Sequence, residues 1–279
     1  MKHYASHMDV VAVVSQAMRE KAAAVPEFRS LPIKYLPYGV PMTPGNAAAR
    51  DFTDPLRVLY LGRLDREQKR VHLFPKILAD LKSSEIPFHW TIAGEGPDRA
   101  WLQEELNGNP PSQTLSFLGQ VSYEKVPQVL KEHDVFLLPS DYEGLPLSLL
   151  EAMGEGLVPV VSDLASGIRE VVSEDTGKRV AVDDIAGYAK AIVWLHHHRE
   201  EMKRLSIGAQ QRVKNEFSVS AMTDRWLTVF PKEFGRIEWP GKWEIRRPLV
   251  SDDWLRFSWA GRVARRTVLK AREIVSRPN

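Results

Sequence analysis

Short apolar stretches alternate with longer amphipathic ones through most of the chain. Runs of four or five residues rich in Val, Leu and Ile recur at Val10–Val14, Ile33–Leu36, Arg57–Leu61, His89–Ala93, Leu115–Leu118, Val135–Leu138, Val158–Val161 and Arg179–Val182. Most are apolar on both faces, as in strands of a parallel sheet covered by helices on each side. Helical patterns lie between them at Gln16–Ala24, Val71–Ser83, Asp98–Asn107, Tyr123–Glu132, Leu147–Gly156 and Ile185–His197. This alternation predicts an α/β fold, a Rossmann-like doubly wound parallel sheet, followed by a helical C-terminal tail. Pro41-Met-Thr-Pro-Gly-Asn46 is dense in turn formers and reads as a linker, and Asn107-Gly-Asn-Pro-Pro111 reads as a loop ending a helix. Three segments follow: a strand–helix–strand piece over residues 1–40, an α/β domain over 41–218, and C-terminal helices with a Trp-rich tail over 219–279.

Composition narrows the class. A chain of 279 residues with 43% apolar and 27% charged side chains can bury a sizeable core and is not a disordered sequence. Without a single Cys it has no disulfide framework, thiolate zinc site, iron–sulfur cluster or cysteine nucleophile, which fits a reducing compartment. No apolar run approaches the roughly 18–20 residues of a spanning helix, and the N-terminus lacks a signal-peptide apolar region. The expected location is cytoplasmic. The net charge of +2 is unevenly spread: from Arg236 onward there are 11 basic and 5 acidic residues, a net of +6 that leaves −4 on residues 1–235. A basic tail on a mildly acidic body suggests an anionic surface partner for the tail and no nucleic acid.

Ligands of open α/β sheets bind beyond the carboxyl ends of the strands. Three such ends carry unusual residues. Gly62-Arg63, with Lys69 six residues beyond, follows Leu59-Tyr-Leu61; Gly94-Glu-Gly-Pro97 follows Trp90-Thr-Ile-Ala93; and Pro139-Ser-Asp-Tyr-Glu143-Gly144-Leu145-Pro146 follows Phe136-Leu-Leu138. In the third loop Gly144 lets backbone approach a ligand closely, and Pro146 suits a helix start whose free N–H groups can hold phosphate. Glu151 lies four residues after Leu147, in the first turns of that helix. A carboxylate there repels phosphate but suits the two hydroxyls of a ribose. Glu143, ahead of the helix, is placed to hydrogen-bond a sugar. Arg63 and Lys69 supply the cations that a diphosphate leaving group needs.

These residues resemble a known family. Gly62-Arg63 with Lys69, Gly94-Glu-Gly-Pro97, the run from Glu143-Gly-Leu-Pro-Leu147 to Glu151-Ala-Met153, and Pro159-Val-Val161 are similar to the donor-binding domain of GT-B fold, retaining glycosyltransferases of family four. Gly167-Ile-Arg-Glu170 resembles that family's Gly-x-Pro-Glu turn, and Leu36-Pro-Tyr-Gly39-Val the segment joining its two domains. The resemblance runs from about Asp9 to about Phe230 and implies transfer of a sugar from a nucleotide diphosphate to an acceptor hydroxyl, with retention and without a metal ion or bound cofactor. It assigns the diphosphate to Arg63 and Lys69, the sugar to Glu143 and the ribose to Glu151. Gly62, Gly144, Leu145, Pro146 and Leu147 complete the donor site, and Gly119 and Val121 border the base. The implied partners are a nucleotide-sugar and an acceptor glycan or lipid-linked sugar. Residues 1–40 then correspond to the end of the family's acceptor domain, so the alternative function is a nucleotide-sugar-binding subunit that needs a separate acceptor-domain chain. The sequence departs from the commoner family form at Arg70, where Gly is usual, at Tyr38 for Asn and at Arg169 for Pro.

Other conspicuous residues read as structural. Gly94 and Gly96 sit in a tight turn, and Glu95 takes no role. His196, His197 and His198 are adjacent on a helix, point in different directions and cannot chelate together; they close the helix. His72, His89 and His133 fall within helix or strand patterns. In the tail, Trp259, Val263 and Val268 share one side of a helical pattern and Arg262, Arg265, Arg266, Lys270 and Arg272 crowd the rest. Such a helix either lies on an anionic membrane or packs on protein with its basic face in solvent, and the second is the more usual case.

Overall fold

The computed structural model describes residues 10–42, 50–106 and 114–229. All but Pro41 and Met42 of the linker expected at Pro41–Asn46, the loop at 107–111 and the basic tail fall outside the described residues. At the N-terminus β1 (Val11–Val13), α1 (Gln16–Ala23) and β2 (Ile33–Tyr35) form a two-stranded parallel unit. A six-stranded parallel sheet follows, made of β3 (Leu56–Leu61), β4 (Phe88–Ala93), β5 (Leu115–Gly119), β6 (Val135–Leu138), β7 (Val158–Ser162) and β8 (Lys178–Val180). Its strand order is β5-β4-β3-β6-β7-β8. All eight predicted strands are present, displaced by no more than two residues at either end.

The order reverses between β3 and β6. Successive strands step outward from β3 to β5 and then outward on the other side from β6 to β8, so the loops leaving β3 and β6 diverge. That divergence opens a crevice at their carboxyl ends.

The helices are α2 (Phe74–Ser83), α3 (Arg99–Leu106), α4 (Val126–Lys131), α5 (Leu147–Gly154), α6 (Gly167–Val171), α7 (Ile185–His197), α8 (Arg199–Glu216) and α9 (Val219–Val229). In α2, Phe74, Ile77, Leu78 and Leu81 repeat at helical spacing and are buried. Phe74 packs edge-on against Tyr60 at 4.9 Å and against Trp90 at 5.0 Å, fixing α2 to β3 and β4. Helix α5 buries Leu149, Leu150, Ala152, Met153 and Gly154, nearly all round, because it lies between the sheet and α8. Ser206 of α8 donates to the Gly156 carbonyl at 2.5 Å, satisfying a buried hydroxyl at that contact.

Two expected helices are shorter than their patterns. Val71–Leu73 and Tyr123–Lys125 are 3₁₀ turns preceding α2 and α4. Pro75 and Pro127 stand in the first turns of those α-helices, lack an N–H and leave the preceding turn outside the α-helical ladder. Gly167–Val171, expected as a turn, is one helical turn capped by the Ser166 side chain. Helix α8 was not predicted separately. Its buried Met202, Leu205, Ser206, Ala209 and Val213 include polar and small residues that weaken the apolar stripe.

The segment after β2 meets the start of α9. Val40 N donates to the Phe217 carbonyl and the Val40 carbonyl accepts from Val219 N, and a Cβ on Gly39 would lie 2.7 Å from the Ser218 carbonyl. Only Gly permits that approach.

Candidate active site at the switch point

The crevice is built from the loops leaving β3 and β6. The β3 loop carries four cations, Arg63, Arg66, Lys69 and Arg70, and the fold sorts them. Arg66 turns to α3, pairing with Asp98 at 2.9 Å and stacking over Trp101 at 3.9 Å. Arg70 turns to the β8–α7 connection, donating to the Val182 carbonyl at 2.6 Å. Arg63 stays beside its own loop, paired with Asp65 at 2.8 Å, and Lys69 turns towards the β6 loop.

Lys69 reaches across to Glu143 on the β6 loop and ion-pairs with it, the two side chains being 13% and 6% exposed. Ser140 donates to the same Glu143 oxygen at 2.7 Å. Behind Ser140, the Ser162 hydroxyl donates to the Ser140 carbonyl at 2.6 Å and lies 2.9 Å from the Tyr188 hydroxyl. Ser140, Ser162 and Tyr188 are fully buried, so this chain of hydrogen bonds runs from α7 through β7 to the carboxylate at the crevice. Gln68 adds two further ties between the loops, through Asp141 N at 2.8 Å and the Tyr142 carbonyl at 3.2 Å.

Gly144, Leu145, Pro146 and Leu147 lead from Glu143 into α5. Pro146 stands at the N-cap rather than inside the helix, with extended backbone and no side-chain cap, so the first N–H groups of α5 lack a side-chain acceptor. A Cβ on Gly144 would face Met18 and Val14 at 3.7 and 3.9 Å, which puts this loop beside α1 of the N-terminal unit. The Gly144 carbonyl accepts from Gly167 N at 2.8 Å.

Glu170, on α6, holds α1 in turn: its Oε1 accepts from Gln16 N at 2.6 Å and Ala17 N at 3.3 Å. A carboxylate at a helix N-terminus offsets the free N–H groups there. Burial and the nearby Glu170 carboxylate push the Tyr35 hydroxyl up to about 12.

Glu151 lies one turn into α5 and borders a small cleft with Tyr123, Val126, Pro127, Leu130 and Pro41. No described residue donates a hydrogen bond to its carboxylate. Burial alone pushes its pKa up to about 7. The Gly119–Val121 loop leaves β5 just before Tyr123, with Gly119 at φ 64° and Val121 half-buried against the core.

The crossing of the β3 and β4 ends explains two glycines. Gly62 N donates to the Ala93 carbonyl at 3.0 Å, and a Cβ on Gly94, at φ 138°, would fall 1.8 Å from the Gly62 carbonyl oxygen. Glu95 pairs with Arg99 on its own helix start.

The departure at position 70 also has a physical basis. Arg70 has φ 52°, a left-handed conformation that glycine adopts most easily. Its guanidinium bond to Val182 compensates. Arg169, at the other departure, pairs with Asp163 at 2.8 Å.

The histidines are structural. His133 is buried with its ring nitrogens 2.6 Å from the Val129 carbonyl and 2.7 Å from Thr91 Oγ1. His198 caps α7 and stacks on Trp194 at 4.2 Å, while His196 faces Asp54. Among the described residues no group of three or more His, Asp or Glu could hold a metal ion, and no helix is long and apolar enough to cross a membrane.

Asp65, Ser140, Ser162 and Tyr188 were not among the sequence candidates. The available signal was a serine closing each of two otherwise apolar strands, β6 through Pro139-Ser140 and β7 at Ser162.

A doubly wound sheet whose switch-point loops set paired cations and carboxylates before a helix start is one Rossmann-like half of the GT-B architecture. Residues 47–212 match the glycosyl transferases group 1 family, and the chain belongs to that family. Glycogen synthase of Mycobacterium tuberculosis is 33% identical over 184 residues, 66% of this chain and 42% of that protein. The amylovoran biosynthesis glycosyltransferase AmsK of Erwinia amylovora is 31% identical over 171 residues, 59% of this chain and 42% of that protein. The chain thus spans less than half the length of these relatives. Among solved structures, Staphylococcus aureus TarM, crystallised with UDP, alpha-GlcNAc-glycerol and fondaparinux, shares the fold at TM-score 0.72 and 18% identity, over 82% of this chain and 45% of that one. The lipopolysaccharide galactosyltransferase WaaB does so at TM-score 0.66 and 23% identity, over 82% of this chain and 64% of that one.

Proposed function

We propose that this chain binds a nucleotide-diphosphate-sugar and carries the donor side of a retaining glycosyltransferase of glycan or glycolipid biosynthesis. The observation that carries the reading is the Lys69–Glu143 pair, nearly buried beside the uncapped start of α5 at the switch point. A site with two cations, free helix N–H groups and a separate desolvated carboxylate fits a ligand with a diphosphate at one end and a vicinal diol beside it.

In this reading the β-phosphate displaces Glu143 from Lys69 and takes Arg63 as second partner. The freed Glu143 accepts from donor-sugar hydroxyls, with Ser140 still holding it. Glu151 accepts from the ribose hydroxyls, and the base lies along Gly119, Val121 and the exposed ring of Tyr123. Backbone groups of Gly62, Gly144, Leu145, Pro146 and Leu147 line the rest. The bond from the anomeric carbon to the diphosphate oxygen breaks with its electron pair going to the diphosphate. The acceptor oxygen bonds to the same face of that carbon, and its proton passes to the diphosphate oxygen. Arg63 and Lys69 stabilise the charge that develops there, without a metal ion. The UDP held by TarM supports a nucleotide-diphosphate ligand for this architecture.

The test is calorimetric titration of the full chain with UDP, GDP and ADP and their hexose conjugates in chelator. Saturable binding of one base family, weakened more than tenfold by Lys69→Ala and by Glu151→Ala, is expected. Absence of binding at millimolar nucleotide overturns the reading. Binding without turnover on any acceptor assigns the chain to nucleotide-sugar binding alone.

A further inference from the structure

Asp65 is 5% exposed and stands between the two cations of the crevice. One carboxylate oxygen accepts from the backbone N–H of Gln68 at 2.7 Å and from that of Lys69 at 3.3 Å. The other lies 2.8 Å from Arg63 Nε. Its own carbonyl accepts from Val71 N at 3.3 Å, closing the loop from 65 to 71. One buried carboxylate therefore fixes the backbone on which Lys69 is mounted and the side chain of Arg63, which is otherwise 59% exposed.

We propose that Asp65 is a positioning residue for diphosphate recognition; this rests on the donor-binding reading above. The ion pair to Asp65 is made at Arg63 Nε and leaves both terminal nitrogens for a ligand; the single contact there, to Gln68 Oε1, is long at 3.4 Å. A guanidinium pre-oriented in this way loses less side-chain freedom when it takes a phosphate. Asp65 also lowers the net charge of the loop. That Coulombic cost is small beside the ordering, because one carboxylate oxygen already accepts two backbone N–H groups and the other, which has no hydrogen-bond donor, is ion-paired with Arg63. Asp65 does not touch the ligand. It acts through Arg63 and Lys69.

The experiment compares UDP, GDP and ADP with their monophosphates on the wild-type chain and on Asp65→Asn, Asp65→Ala, Arg63→Ala and the Arg63→Ala/Asp65→Asn double variant. Asp65→Asn keeps one acceptor oxygen for the backbone and so preserves the turn if Asp65→Ala fails to fold. Expected results are a diphosphate-to-monophosphate affinity ratio at least tenfold lower in Asp65→Asn, monophosphate affinity within about twofold of wild type, and no further loss on adding Asp65→Asn to Arg63→Ala. An unchanged ratio in Asp65→Asn and Asp65→Ala overturns the positioning role, and so does an equal loss for both ligands. If the wild-type chain binds none of the three nucleotides, the donor-binding reading itself falls and takes this one with it.

Discussion

Glu151→Gln separates two consequences of one desolvated carboxylate. Burial raises the Glu151 pKa from an ordinary 4.5 to about 7 in the folded chain. A carboxyl group with a raised folded pKa favours the native state below its unfolded pKa. That advantage is lost as pH rises through the folded value, because the folded chain then carries an uncompensated charge. Two and a half pKa units at ~1.4 kcal/mol each set a ceiling of about 3 kcal/mol on the difference between pH 4.5 and pH 8. Glu151→Gln keeps the shape and removes the titration. Urea unfolding from pH 4.5 to 8.5 should therefore show the wild-type chain losing stability relative to the variant, with most of the change between pH 4.5 and 7. Nucleotide affinity should move in the opposite sense. Ribose hydroxyls donate to the ionised form, so wild-type affinity should rise through pH 7 relative to the variant. A hydrogen bond to a charged acceptor is worth roughly 1 kcal/mol more than one to a neutral acceptor, or about thirtyfold in affinity for two hydroxyls. Parallel stability curves for the two chains would refute the burial argument. Equal nucleotide affinity at pH 8 would refute the ribose role and leave the burial argument standing.

Lys69→Ala leaves Glu143 nearly buried with Ser140 as its remaining donor, so the variant should lose about 2 kcal/mol of stability at pH 7, read by urea unfolding; an unchanged urea midpoint would contradict the pairing. At position 70, Arg70→Ala loses the bond to the Val182 carbonyl while keeping φ 52°, whereas Arg70→Gly relieves the backbone; the glycine variant should be the more stable of the two by about 1 kcal/mol. Gly94→Ala should fail to accumulate as folded protein, because its Cβ would fall 1.8 Å from the Gly62 carbonyl; near-wild-type thermal unfolding would contradict the close crossing of β3 and β4. If the basic tail is a membrane anchor, deleting residues 237–279 abolishes co-sedimentation with anionic vesicles; an intact chain that never pellets removes that reading.

The sheet was legible because its strands are buried on both faces. A run such as Val135–Leu138 has no polar alternation to misread, and the helices between such runs force parallel pairing. Position relative to the strand ends then located the crevice, since β3 and β6 are neighbours whose successors leave in opposite directions. Arg63, Lys69, Glu143 and Glu151 were legible as charges interrupting apolar context near those ends. Helix boundaries were less so: Pro75 and Pro127 shift a boundary by a turn, and periodicity carries no trace of that shift.

What the sequence could not assign was which polar residues support the site. Four cations occupy the β3 loop, and nothing in their spacing says that Arg66 goes to Asp98 and Arg70 to Val182 while Arg63 and Lys69 stay. The choice is made by partners 30 to 110 residues away, on α3 and beyond β8. Asp65, Ser140, Ser162 and Tyr188 were unassigned for the same reason, because each acts through a contact that only the assembled sheet creates. Their burial is nonetheless informative once seen. A fully buried serine or tyrosine is tolerated only with a hydrogen-bond partner, and here the partners lead from α7 to Glu143, the carboxylate that in the proposed reading releases Lys69 to a diphosphate. Ser140 holds that carboxylate through the same oxygen that pairs with Lys69, so in the proposed reading Glu143 keeps one donor when Lys69 turns to the diphosphate.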